Sequence, residues 1–98
     1  MFLLVLFLAS LAYAMDISVF CKSVEDMYRV CSSAGRQGVD CNELGSQVYR
    51  RMSSSLSPKL SRDFSVLCKA SCVAEQTGRE DVKKDIQDYI RRCKEGNP

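Results

Sequence analysis

From Asp16 onward the polarity of the chain varies with a helical period. Ile17, Phe20, Cys21, Val24, Met27, Tyr28 and Cys31 follow one another at steps of three or four and trace one apolar stripe. That spacing predicts an amphipathic helix over 16–32. Asp16 is placed to cap its start, and Glu25 and Arg29 form a favourable pair one turn apart. The two glycines of SSAGRQG then break the pattern. A second stripe, Cys41, Leu44, Val48 and Met52, begins at Asp40, whose spacing to Glu43 fits a capping box. A third runs from Pro58 to Gln76 through Leu60, Phe64, Leu67, Cys68, Ser71 and Cys72. Ser57 is its N-cap ahead of a proline at the first position, and Gly78 its stop. The fourth, 79–94, carries Val82, Ile86, Tyr89, Ile90 and Cys93. Thr77 and Glu80 have capping-box spacing there. Acids at its start and Arg91, Arg92 and Lys94 at its end suit the helix dipole.

No stretch alternates as a strand does, so the chain reads as all-α: a compact, disulfide-stapled bundle of about four short helices. The segment before it differs. MFLLVLFLASLAYA has no charged side chain and ends in the small-x-small pattern Ala12-Tyr13-Ala14. Residues 1–14 therefore read as a secretory signal peptide cleaved after Ala14. The stretch falls short of the roughly 20 apolar residues needed to span a bilayer. Residues 15–98 are expected to form a single secreted, extracellular domain with no stable membrane insertion.

Secretion changes the meaning of the cysteines. Cys21, Cys31, Cys41, Cys68, Cys72 and Cys93 all follow the cleavage site, and an even count in a short secreted chain implies three disulfides. Cys68 and Cys72 lie four apart on one helix, where Cβ atoms stand about 5–6 Å apart. A disulfide needs about 3.8 Å, so each should bond to another segment. Zinc would need further ligands, and the chain has no histidine. A thioredoxin-like pair would be separated by two residues rather than three. Stapling of the turn between Cys31 and Cys41, with the third and fourth helices antiparallel, gives the expected set Cys31–Cys41, Cys68–Cys93 and Cys21–Cys72.

The lack of histidine also removes the usual general base and the Ser–His and Cys–His nucleophile pairs. The acids lie beside basic residues on helix faces, and there is no glycine-rich phosphate loop. The expectation is a protein that is not an enzyme and has no cofactor or metal. A net charge of +2, with both signs mixed, does not argue for nucleic acid. One segment departs from that balance. No acid lies between Glu43 and Asp63, whereas Arg50, Arg51, Lys59 and Arg62 are all basic. These four are the candidate partner-binding residues, suited to an acidic surface on an extracellular protein or to anionic lipid.

Six cysteines, helices and a C-x3-C pair bring the chain towards the insect odorant-binding proteins. Those place one cysteine before the pair and three after it; here three come before and only Cys93 after. The chain is not placed among them. The leading function class is a secreted protein acting by binding a receptor, channel or other protein, as venom components, pheromones, hormones and effectors do. The alternative is a carrier of small hydrophobic ligands. A third, a membrane-active defence peptide, is disfavoured by the weak net charge and by apolar stripes used up in the core.

Overall fold

Each apolar stripe becomes a helix. The computed structural model describes residues 2–96, with side chains from Ser18 onward, so the expected signal peptide over 1–14 falls outside the residues whose side chains are described. The helices are α1 (Phe2–Arg36), α2 (Cys41–Ser53), α3 (Pro58–Thr77) and α4 (Glu80–Lys94), with no strand among the described residues.

Three of the expected boundary signals act as such. The Asp40 carboxylate accepts from the backbone N–H groups of Asn42 and Glu43 at 3.0 and 3.1 Å and opens α2. The Ser57 hydroxyl accepts from the Leu60 N–H, with Pro58 at the first position of α3. Gly78 takes the left-handed conformation at φ 68°, and its N–H reaches the Ala74 carbonyl to close α3.

Three others are corrected. Asp16 lies within α1 rather than capping it. The SSAGRQG stretch does not end the helix at its first glycine: α1 runs through Gly35 to Arg36, and Gly38, at φ 81°, makes the turn. Thr77 does not cap α4. Its hydroxyl donates to the Val73 carbonyl within α3, and Arg79, which precedes α4, makes no capping hydrogen bond.

The helices alternate in direction. Cys31 lies against Cys68 and Gly35 against Cys72, so α1 and α3 run the same way. Gly45 lies against Ser65 and Lys69 while Cys41 bonds Cys72, so α2 is antiparallel to α3. α4 is antiparallel to α1, as Cys21–Cys93 and the Gln87–Tyr28 hydrogen bond show. α3 touches all three other helices and is the axis of the domain. Val24, Phe64 and Ile90 form the buried apolar centre, with Phe20, Val48, Met52, Leu56 and Ile86 packed around it. Phe20 meets Phe64 edge to face, ring centroids 5.7 Å apart.

All six cysteines are paired, as Cys21–Cys93, Cys31–Cys68 and Cys41–Cys72. This corrects the expected set in every pair. α1 and α2 do not form a stapled hairpin. They flank the buried face of α3, so Cys31 and Cys41 each meet α3 instead of each other. Cys93 also fails to reach Cys68. It lies further past Gly78 than Cys68 lies before it, and the difference of five residues is about 7.5 Å of helix rise. Cys93 therefore passes beyond Cys68 and meets Cys21 on α1.

Gly35 sets how closely α1 and α3 approach. A Cβ there would stand 2.5 Å from the Cys72 carbonyl oxygen and 3.1 Å from its Cα, both backbone atoms that cannot turn aside. Gly45 is buried against α3 too, but a Cβ there would meet only Ser65 and Lys69, at 3.4 Å or more. Ala is favoured over Gly within a helix by about 1 kcal/mol. Gly45→Ala should therefore be neutral or stabilising. Gly35→Ala should destabilise the oxidised protein by about 1–3 kcal/mol, because it forces the helices apart. Urea unfolding of the two variants checks this, and equal behaviour at the two positions would contradict the close approach.

Candidate functional site

The four basic residues singled out by charge gather around the α2–α3 turn. Arg50 and Arg51 occupy the last turn of α2, Lys59 the first turn of α3 and Arg62 the next, and all four are exposed. The turn between them is well anchored. The Ser53 and Ser54 hydroxyls donate to the Tyr49 and Arg51 carbonyls, and the Leu56 N–H reaches the Met52 carbonyl at 2.8 Å. The Leu56 side chain tucks against the core. The cations thus project from a fixed corner.

The acids that bound this segment in sequence fold back onto it. Glu43 lies 3.5 Å from Arg50, and Asp63 lies 3.8 Å from Lys59. Both pairs are exposed and weakly held. Arg51 and Arg62 have no ion pair among the described residues. The helices also divide the set. Gly45 faces α3, and Arg50, five residues on, points about 140° away from that contact. Lys59 and Arg62 stand on the solvent side of α3, opposite Cys68. That side also carries Lys69, Val66 and Val73, which the charge asymmetry alone did not reveal.

Several shallow clefts lie elsewhere. One of about 390 Å³ between α1 and α4 is lined by Glu25, Tyr28, Arg29, Gln87, Arg91 and Lys94, with Ile90 at its floor. A second, about 250 Å³, is lined by Phe20, Val24, Asp63, Phe64, Leu67 and Tyr89, and a third, about 360 Å³, by Ala70, Val73, Ala74, Thr77, Arg79 and Val82; both are more apolar than the first. Among the described residues no three Cys, Asp or Glu side chains gather as metal ligands, and no helix is long and apolar enough to cross a membrane. No family model, curated protein or solved structure matches the chain.

Ion pairs bind the free edges of the helices. Glu75 on α3, only 12% exposed, receives Lys83 of α4 at 3.2 Å and Arg36 of α1 at 3.3 Å. Glu25 of α1 receives Lys94 of α4 at 2.7 Å. The Lys83 hydrogen bond, with that of Arg36, holds the Glu75 carboxyl below its ordinary range against the opposing effect of burial. Arg79 holds Asp81 down to about 2. A carboxylate depressed in the folded state adds stability above its unfolded pKa, and that stability is lost as pH falls through the folded pKa. The melting temperature should be level near neutrality and fall from about pH 4 towards pH 2. Glu75→Gln should flatten that decline more than Asp81→Asn, because Asp81 is exposed and its pair is screened. Calorimetry across this range checks the order, and an unchanged slope in Glu75→Gln would contradict it.

Proposed function

We propose that the protein is secreted and acts by binding an acidic surface on an extracellular protein. The observation that carries the reading is the corner of exposed cations at the α2–α3 turn, Arg50, Arg51, Lys59 and Arg62, two of them without an acidic partner among the described residues. Three disulfides support it in two ways. They suit an oxidising compartment, and they fix the helices that carry the cations, so little order has to be imposed on binding. The signal-peptide reading of residues 1–14 points the same way.

The carrier reading draws less support. The apolar clefts are surface grooves rather than enclosed cavities: the one at Phe20 and Phe64 holds about 250 Å³, and the one at Val73, Ala74 and Val82, about 360 Å³, stands near the lower end of the roughly 300–1,000 Å³ of ordinary ligand pockets. The cleft between α1 and α4 is lined mostly by charged and polar side chains. Cysteine sulfurs and the Val24–Phe64–Ile90 cluster fill much of the interior.

The test replaces Arg50, Arg51, Lys59 and Arg62 together with Gln and follows binding to immobilised polyglutamate at several salt concentrations. The four side chains are exposed, so the variant should keep its melting temperature to within a few degrees. Its association rate should fall about tenfold, and the salt dependence should shrink with it. Native mass spectrometry of the secreted protein should show the bare oxidised chain. A variant that associates as fast as the parent, or a parent that carries bound lipid, contradicts the reading.

A further inference from the structure

The solvent side of α3 has a regularity that its core packing does not require. Lys59, Arg62, Val66, Lys69 and Val73 follow at steps of three, four, three and four. This is the 3.5-residue period of a helix-packing seam. It lies opposite the buried face of Ser61, Phe64, Cys68, Ser71 and Cys72. All five seam residues are exposed, Val66 at 62% and Val73 at 37%. α1, α2 and α4 pack on the other faces of α3, with α2 bordering the seam where Gly45 lies against the Lys69 stem and α4 bordering it where Val73 shares a cleft with Val82; between these edges Lys59, Arg62 and Val66 face solvent. The seam ends where the Gln76 amide donates to the Val39 carbonyl.

Charge along the seam has one sign. Of the two acids on α3, Asp63 lies beside Lys59, and Glu75 is turned inward to Lys83 and Arg36. Arg62 and Lys69 alternate with the valines and have no ion pair among the described residues. Val66 and Val73 are spaced about 10.5 Å along the axis, the rise of one heptad. A second helix lying alongside could seat two apolar side chains against them. It would need acids opposite Arg62 and Lys69, whose long stems can cover the contact while their charged ends reach its edge.

We infer that the outward face of α3 docks an acidic amphipathic helix of another protein, with apolar residues seated on Val66 and Val73 and carboxylates on Arg62 and Lys69. This rests on the reading above that the protein works by binding an acidic partner, and gives that partner a shape. A second copy through the same face is disfavoured, since it would bring Arg62 and Lys69 against like charges. A membrane surface is disfavoured because the apolar part of the seam has two valines and no aromatic or leucine to enter the acyl boundary.

The test uses a synthetic helix-stabilised peptide of about three heptads with Leu and Glu alternating at steps of three and four. A peptide of the same composition, with Leu and Glu on different faces, is the control. The first peptide should bind the oxidised protein, and the control should bind at least about tenfold more weakly. Val66→Gln with Val73→Gln should weaken the first peptide by a similar factor. These substitutions lie on an exposed helical face and favour helix, so the variant should fold. Arg62→Glu with Lys69→Glu should abolish binding, and a peptide with Lys in place of Glu should restore it. Absence of binding by the parent, or equal binding by the valine variant, overturns the inference. So does a dimer that the valine variant dissolves, or capture by phosphatidylcholine–phosphatidylserine vesicles that depends on the same valines. If the seam fails while polyglutamate binding still depends on Arg50 and Arg51, only the docking inference is lost; if both fail, the acidic-partner reading is lost as well.

Discussion

Cys68 and Cys72 share one face of α3 and bond to different helices, and the arrangement of the domain depends on that division. One sulfur reaches Cys31 on α1, the other Cys41 on α2. A single turn of helix thereby holds two neighbours at once and fixes them on either side of the same buried face. The loops closed span 37 and 31 residues. On a chain-entropy estimate each such link removes about 4 kcal/mol of freedom from the unfolded chain. The third disulfide, Cys21–Cys93, ties the end of α4 to α1. The short turn at Gly78 and the Glu75 ion pairs hold its other end.

This division explains why so small a domain manages with a small apolar centre. Val24, Phe64 and Ile90 are the buried non-cysteine members of the central cluster. Half-buried side chains such as Phe20, Val48, Met52, Leu56 and Ile86 pack around it, and elsewhere sulfur, glycine and serine make the contact between helices. Gly35 lets α1 come down on the backbone of α3 at Cys72. The Ser65 hydroxyl donates to the Gly45 carbonyl at 2.7 Å, joining α2 and α3 where Gly45 has no side chain to hold them apart. Close approach of backbones, locked covalently, takes the place of a larger hydrophobic interior. It also leaves a strip of α3 facing solvent, with Lys59, Arg62 and Val66 on it and Lys69 and Val73 at its borders with α2 and α4.

The helices were legible in sequence because each has its own stripe, and Asp40, Ser57 with Pro58, and Gly78 are local signals whose chemistry is complete within a few residues. The pairing of cysteines was not legible, since it depends on which helices become neighbours. Gly35 shows the difficulty. In sequence it reads as a breaker, which shortens α1 and brings Cys31 towards Cys41. In the fold it is an interior helix residue chosen for a contact made by Cys72, distant along the chain. Thr77 is a similar case: its spacing to Glu80 suits a cap, but its hydroxyl is already used by the Val73 carbonyl. At the candidate site the four cations were visible as a charge asymmetry. The sequence did not show that Glu43 and Asp63 return to Arg50 and Lys59, or that Lys69 and the two valines continue the face of Arg62. A second heptad-spaced series on the side of α3 away from Phe64 and Cys68 was the available signal.

The measurement closest to the centre of this account is a peptide map of the unreduced protein. Digestion should be done at acidic pH to prevent exchange, with partial reduction to separate the linkages of Cys68 and Cys72, which share a short segment. The fold requires Cys31 with Cys68, Cys41 with Cys72 and Cys21 with Cys93, and no cysteine open to alkylation. A Cys31–Cys41 linkage, or the exchanged pairs Cys31–Cys72 and Cys41–Cys68, would contradict the division of α3 between its two neighbours.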